Sequence, residues 1–96
     1  MPAYLLGTVD VHDPAEYQKY LDGFMASMTP FDGRVLVATT QAQVVEGTWP
    51  EARTVVIEFP SMTALREWYD SAPYQKILQH RLRAATAHLV FAEGRG

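Results

Sequence analysis

The chain has 96 residues, enough for one domain around a single core and too few for two. Its 48% hydrophobic and 20% charged residues, with six Gly and six Pro scattered along the length, exclude a disordered or low-complexity chain. Eight Lys plus Arg against eleven Asp plus Glu give a net charge of -3, and the longest basic run is Arg81-Leu82-Arg83, which argues against nucleic acid as a partner.

Residues 3–11 are aliphatic, aromatic or β-branched with one Gly and predict a first strand. His12-Asp13-Pro14 stops it and starts a helix, with Asp13 as N-cap, Pro14 as first helical residue and Glu16 three places after the cap. Tyr17, Tyr20, Leu21, Phe24, Met25 and Met28 then recur at helical spacing, predicting a bulky apolar stripe on one face. The helix should end near Met28, because Pro30 disfavours helical geometry at Thr29. Asp32-Gly33 reads as a turn, and residues 34–40 as a second strand centred on Val35 to Ala38.

Residues 43–47 have β character and predict a short extension, followed by a loop carrying Trp49. Residues 53–59 make the next strand, which Pro60 ends, and Ser61 caps a helix with Ala64, Leu65, Trp68 and Tyr69 on one face. Ser71-Ala72-Pro73 breaks that helix. A further helix reads off Tyr74, Ile77, Leu78, Arg81 and Leu82, and residues 86–92 close the order as a last strand before a polar tail, 93–96, expected to fray.

Strand, helix, strand, strand, helix, strand is the split βαβ, ferredoxin-like α+β pattern, an antiparallel sheet ordered 4-1-3-2 with its helices on one face. Strand alternation puts Leu5, Gly7, Val9, Val11, Val55, Ile57, Phe59, Ala87, Leu89 and Phe91 under the helices. The opposite face mixes Tyr4, Leu6, Val56 and Val90 with Thr8, Asp10, Glu58 and His88. That set is too apolar to leave wet and too polar for a dry core, and a second protomer covering it around a polar cavity satisfies both facts.

The run Val45-Glu46-Gly47, then Trp49, residues 53–61, Trp68-Tyr69-Asp70-Ser71, Tyr74-Gln75 and Arg81 resembles the bacterial family catalogued as domain of unknown function thirteen-thirty. The first strand ending in Asp10, the helical Tyr17 and Tyr20 and the closing Glu93-Gly94 fit the same family, so the resemblance covers nearly the whole chain. Two departures stand out: the family usually has a Gly pair at Asp32-Gly33, and Ser-Pro-acid-Tyr at residues 71–74. The resemblance implies the dimeric α/β barrel superfamily, in which two ferredoxin-like protomers pack sheet to sheet. That superfamily spans cofactor-free monooxygenases, isomerases, cyclases, haem-handling enzymes and stress-response proteins, so the fold does not fix the function.

Asp10 and His88 share the open face, and a carboxylate beside an imidazole orients a general base. Arg53, Thr54 and Thr86 are expected near Asp10; the competing account is a polar dimer contact. Glu58, opposite Tyr4 and near Arg34, is either a carboxylate whose pKa is raised for proton transfer or the partner of Arg34 in an ion pair. Glu46 and Arg53 flank the Trp49 loop and suggest a clamp on an anionic ligand or a bridge to each other. Tyr17, Phe24, Trp68, Tyr69 and Tyr74 are expected to line the space between helices and sheet, as ligand wall or as core.

No metal site is expected, since His12, His80 and His88 lack ligand spacing. No Cys is present, which excludes disulfides and thiolate chemistry. With no basic leader in residues 1–7 and no apolar run long enough to cross a bilayer, a cytoplasmic protein is expected. The favoured function is a homodimer that binds or transforms a small organic molecule by proton transfer, without a tightly bound cofactor. The alternatives are a non-catalytic homodimeric binding module and, third, a cofactor-free monooxygenase.

Overall fold

The computed structural model describes residues 1–95. The elements in order are β1 (Ala3–Val11), α1 (Pro14–Met28), a 3-10 turn (Thr29–Phe31), β2 (Arg34–Thr39), β3 (Arg53–Phe59), α2 (Met62–Asp70), α3 (Ala72–Ala84) and β4 (Ala85–Glu93). The strands form one antiparallel sheet in the order β2-β3-β1-β4. This is the expected ferredoxin-like α+β arrangement, with the apolar strand set and the helices enclosing the core.

Local chemistry sets the element ends. The Asp13 carboxylate accepts from the Glu16 amide at 3.2 Å, satisfying one orphan donor of α1. Ser61 does the same for Ala64 at 3.1 Å. Ser71 serves two helices: its hydroxyl donates to the Trp68 carbonyl at 2.7 Å and accepts from the Tyr74 amide. The cap therefore starts α3 at Ala72. Asp32 occupies the left-handed region at φ 56°, a backbone conformation that favours Gly.

Beneath the helices, Ala3, Leu5, Val9, Ile57 and Phe59 of the sheet meet Tyr17, Tyr20 and Met28 of α1, Leu65 and Trp68 of α2, and Tyr74 and Leu78 of α3. Trp68 is fully buried, and its indole N–H donates to the Ser27 hydroxyl at 3.0 Å. Gly7 faces this layer, where a methyl group would collide with the His88 carbonyl and the Leu89 side chain.

Four expectations are corrected. The α1 stripe is narrower than predicted: Tyr17, Tyr20, Phe24, Ser27 and Met28 face inward, while Met25 is 61% exposed and Leu21 lies at the edge. Leu82 of α3 is exposed, while Arg81, read on the same stripe, is buried. Residues 43–47 form no strand; they belong to an exposed β2–β3 loop in which Gly47 adopts φ 73° and Val45 finds no covering element. The segment 93–95 is tied down in part, since Glu93 ends β4 and the Gly94 amide donates to the Pro2 carbonyl at 2.7 Å; Gly96 lies outside the described residues.

Candidate functional site

The register sorts the open face into rows that run across the sheet. Val37, Val56, Leu6 and Val90 stand opposite one another from β2 to β4, an apolar row spanning all four strands. On one side of it Thr39, Thr54, Thr8 and His88 make a row of hydroxyls ending in an imidazole. On the other side lie Arg34, Glu58, Tyr4 and Ala92. A β-bulge between Val35 and Val37 brings Val37 into the apolar row.

The β2–β3 loop returns over the hydroxyl row. The Trp49 indole donates to the Thr54 hydroxyl at 3.0 Å, and Thr8, though it faces away from the helices, is only 7% exposed. Between this loop and the sheet is a hollow of about 600 Å³ lined by Leu6, Gly7, Thr8, Trp49, Pro50, His88, Leu89 and Val90. His88 is the one titratable side chain among these. The floor is aliphatic, one wall is an indole, and polarity comes from Thr8 and the imidazole, which suits a small and largely apolar organic molecule.

The two other predicted catalytic carboxylates are placed apart from this hollow. Asp10 is exposed and lies opposite Thr86, one diagonal step from His88, and no hydrogen bond joins the two. Glu58 accepts from Arg34 and, at 2.9 Å, from the Tyr4 hydroxyl. Those bonds, Arg34 first, hold its carboxyl below the ordinary range, and the bond to Glu58 raises the Tyr4 hydroxyl above its own. The ion pair offered as the alternative for Glu58 is therefore the one formed, and the raised pKa needed for proton transfer is not present.

Arg53 departs furthest from expectation. It stands opposite Val9 and shares the parity of Val55 and Ile57, so it points into the helix layer, away from Asp10 and Glu46. Its guanidinium lies 5.8 Å above the Tyr17 ring, and its Nε is buried without a hydrogen-bond partner. Glu46 is exposed on the loop and makes no ion pair with Arg53 among the described residues. The clamp built from these two side chains is absent.

Of the aromatic residues expected to line the helix–sheet space, Trp68 is core, packed against Phe24, Phe59, Tyr69 and Tyr74. Tyr69 packs edge-on against Phe91 near the outer edge of β4. Tyr17 and Tyr74, with Tyr20 and Arg81, line a small internal void. Arg81 and Tyr20 were not singled out as ligand residues; the spacing Tyr74, Leu78, Arg81 was the available signal, since it carries the arginine onto the buried stripe of α3. Among the described residues no three His, Cys, Asp or Glu side chains converge as metal ligands, and no helix is long and apolar enough to cross a membrane.

Residues 2–95 match the family model described as "Domain of unknown function (DUF1330)". No curated protein matches the chain. A solved structure of unknown function from Rhodopseudomonas palustris, RPA0582, is 19% identical, with a TM-score of 0.75 over 99% of this chain and 83% of that one. SnoaB from Streptomyces nogalater, a cofactor-independent oxygenase, is 14% identical, with a TM-score of 0.66 over 99% and 94% of the two chains. A dimeric ferredoxin-like protein of unknown function from Jannaschia sp. is 11% identical, with a TM-score of 0.65 over 98% and 100%. At these identities the likeness is one of fold.

Proposed function

We propose that this chain, which belongs to the DUF1330 family of domains of unknown function, works as a homodimer that holds a small organic molecule between Trp49 and the open sheet face. The observation that carries the proposal is the hollow of about 600 Å³ in which His88 is the sole titratable lining residue. An imidazole moves protons near neutral pH, and beside an aliphatic floor it suits proton transfer at carbon in an isomerase-, cyclase- or lyase-type reaction. Trp49 and Pro50 supply an apolar wall, and the partner protomer closes the remaining side. Glu58, held ionised by Arg34 and Tyr4, is assigned to the register of the dimer rather than to chemistry, and Asp10 to the polar rim. A cytoplasmic location is part of this reading, and a cysteine-free chain is compatible with it.

A second reading draws on the apolar row Val37, Val56, Leu6 and Val90: the face is a dimer seam and the protein a non-catalytic binding module. The cofactor-free oxygenase reading draws only on the fold shared with SnoaB. Native mass spectrometry of the protein as purified, followed by the same sample denatured, separates the main readings. The expected result is a dimer carrying an added organic mass that His88→Ala retains without turnover and Trp49→Ala loses. A dimer whose passenger is unaffected by Trp49→Ala would refute the placement of the ligand. Dissociation caused by His88→Ala would favour the seam.

A further inference from the structure

The three hydroxyls in the row on the open face are used unevenly. Thr39 accepts from the Gln41 amide at 2.9 Å and Thr54 from the Trp49 indole at 3.0 Å, so both hold the β2–β3 loop in place. Thr8 lines the hollow and is only 7% exposed, yet its hydroxyl makes no hydrogen bond among the described residues. A polar group so nearly buried is costly unless something answers it. Thr8 stands directly opposite His88 across the β1–β4 ladder. That register sets the two Cβ atoms about 4.5–5.5 Å apart on the same face, so an uncommitted O–H donor and an imidazole open side by side onto one space.

The positive charges of the sheet lie elsewhere. No Arg or Lys lines the hollow. Arg34 is bonded to Glu58 in the row beyond the apolar strip, and Arg53 and Arg81 cover Tyr17 and Tyr20 in the helix layer. A carboxylate or phosphate group would therefore enter an aliphatic space without the guanidinium fork that suits it. What the lining does offer is a neutral donor at Thr8, a proton acceptor at His88 and the flat apolar wall of Trp49 and Pro50. Those groups fit an uncharged molecule with one acceptor oxygen and a planar body.

We propose, on the reading that this hollow is the ligand site, that it takes a neutral carbonyl compound whose oxygen accepts from Thr8 while His88 removes a proton from the adjacent carbon. As the proton passes to the imidazole nitrogen, the C–H electron pair becomes the new C=C bond and the carbonyl π pair moves onto oxygen. The Thr8 hydroxyl hydrogen-bonds the charge that develops there, and return of the proton to carbon restores both groups.

The probes are 2-indanone, indane as the same rings without the carbonyl, and indane-2-carboxylate as the same rings with an anion. Binding is read from the Trp49 indole N–H signal of the full-length protein, told from that of Trp68 by its loss in Trp49→Phe. Proton transfer is read as deuterium uptake from heavy water at the carbons beside the carbonyl. The expected result is a saturable shift with 2-indanone, about two- to tenfold tighter than with either control, and uptake faster than in buffer alone. His88→Ala should abolish the acceleration and keep the binding. Thr8→Val should slow uptake about a hundredfold while weakening binding only about two- to tenfold, and Thr8→Ser, which keeps the hydroxyl, should restore most of the rate. Equal or tighter binding of indane or of the acid, no acceleration, or uptake indifferent to His88→Ala or Thr8→Val overturns the proposal. If none of the three probes moves the Trp49 signal, the open-face site itself is refuted and the proposal with it.

Discussion

Placing a carboxylate at Leu6 should separate the protomers while leaving each one folded. Leu6 is 36% exposed and stands mid-row between Val56 and Val90, on the face that the helices do not cover. Burying a whole Leu side chain stabilises by about 1.5–3 kcal/mol, so covering the remaining third is worth about 0.5–1 kcal/mol per protomer and about twice that per dimer. Leu6→Asp forfeits this and carries two carboxylates into the seam, each with a desolvation penalty of several kcal/mol unless it stays wet. A total loss of about 4 kcal/mol or more raises the dimer dissociation constant about a thousandfold. Sedimentation velocity at micromolar concentration should show a wild-type dimer and a Leu6→Asp monomer. Circular dichroism should show unchanged helix content, because Leu5 and Val9, on the other face, hold the core. A wild-type monomer, or a Leu6→Asp dimer of undiminished stability, would refute the assignment of the open face as a seam.

Three further outcomes test the packing. Ser27→Ala should cost about 1–3 kcal/mol in urea unfolding, because it strips the buried Trp68 indole N–H of its acceptor; a change below about 0.5 kcal/mol would show that another acceptor is in reach. Hydrogen bonds from His80 and then Arg83 pull the Glu16 carboxyl down to about 2. Its folded pKa is depressed, so the contribution is present above the unfolded value near 4.5 and is lost as the pH falls toward about 2; Glu16→Gln should flatten that limb of the urea midpoint against pH. Asp32→Gly should leave stability unchanged or raise it by up to about 1 kcal/mol in thermal unfolding, since relief of the φ 56° conformation outweighs the added freedom of the unfolded chain.

Much of the fold was legible because its signals are local. The caps at Asp13 and Ser61 and the alternation of β1, β3 and β4 each depend on a few neighbouring residues, and the structure keeps them. What failed to read depends on partners distant in the chain. Residues 43–47 have strand composition, yet no neighbouring strand accepts them. Glu58 in an apolar run left two outcomes open, and the bonds that Arg34 and Tyr4 make to it select the ion pair. Thr8 is buried on an open face only because the Trp49 loop folds back over it.

Arg53 illustrates a different kind of error, since its face was implicit in the alternation. It shares parity with Val55 and Ile57, but nearness in sequence to the strand end suggested Asp10 as its neighbour. The consequence extends beyond one residue. His88 belongs to the open face, and Tyr17, Arg53 and Arg81 belong to the helix layer, so the sheet itself lies between the imidazole and the buried guanidinium groups. Neighbouring side chains along a strand point to opposite faces, and no rotamer change brings the two sets into one pocket. A single substrate held by Arg53 and deprotonated by His88 is therefore geometrically excluded within one protomer. Any chemistry by His88 must draw its anion contacts from the open face, where Arg34 is already committed to Glu58, or from the second protomer proposed to cover it.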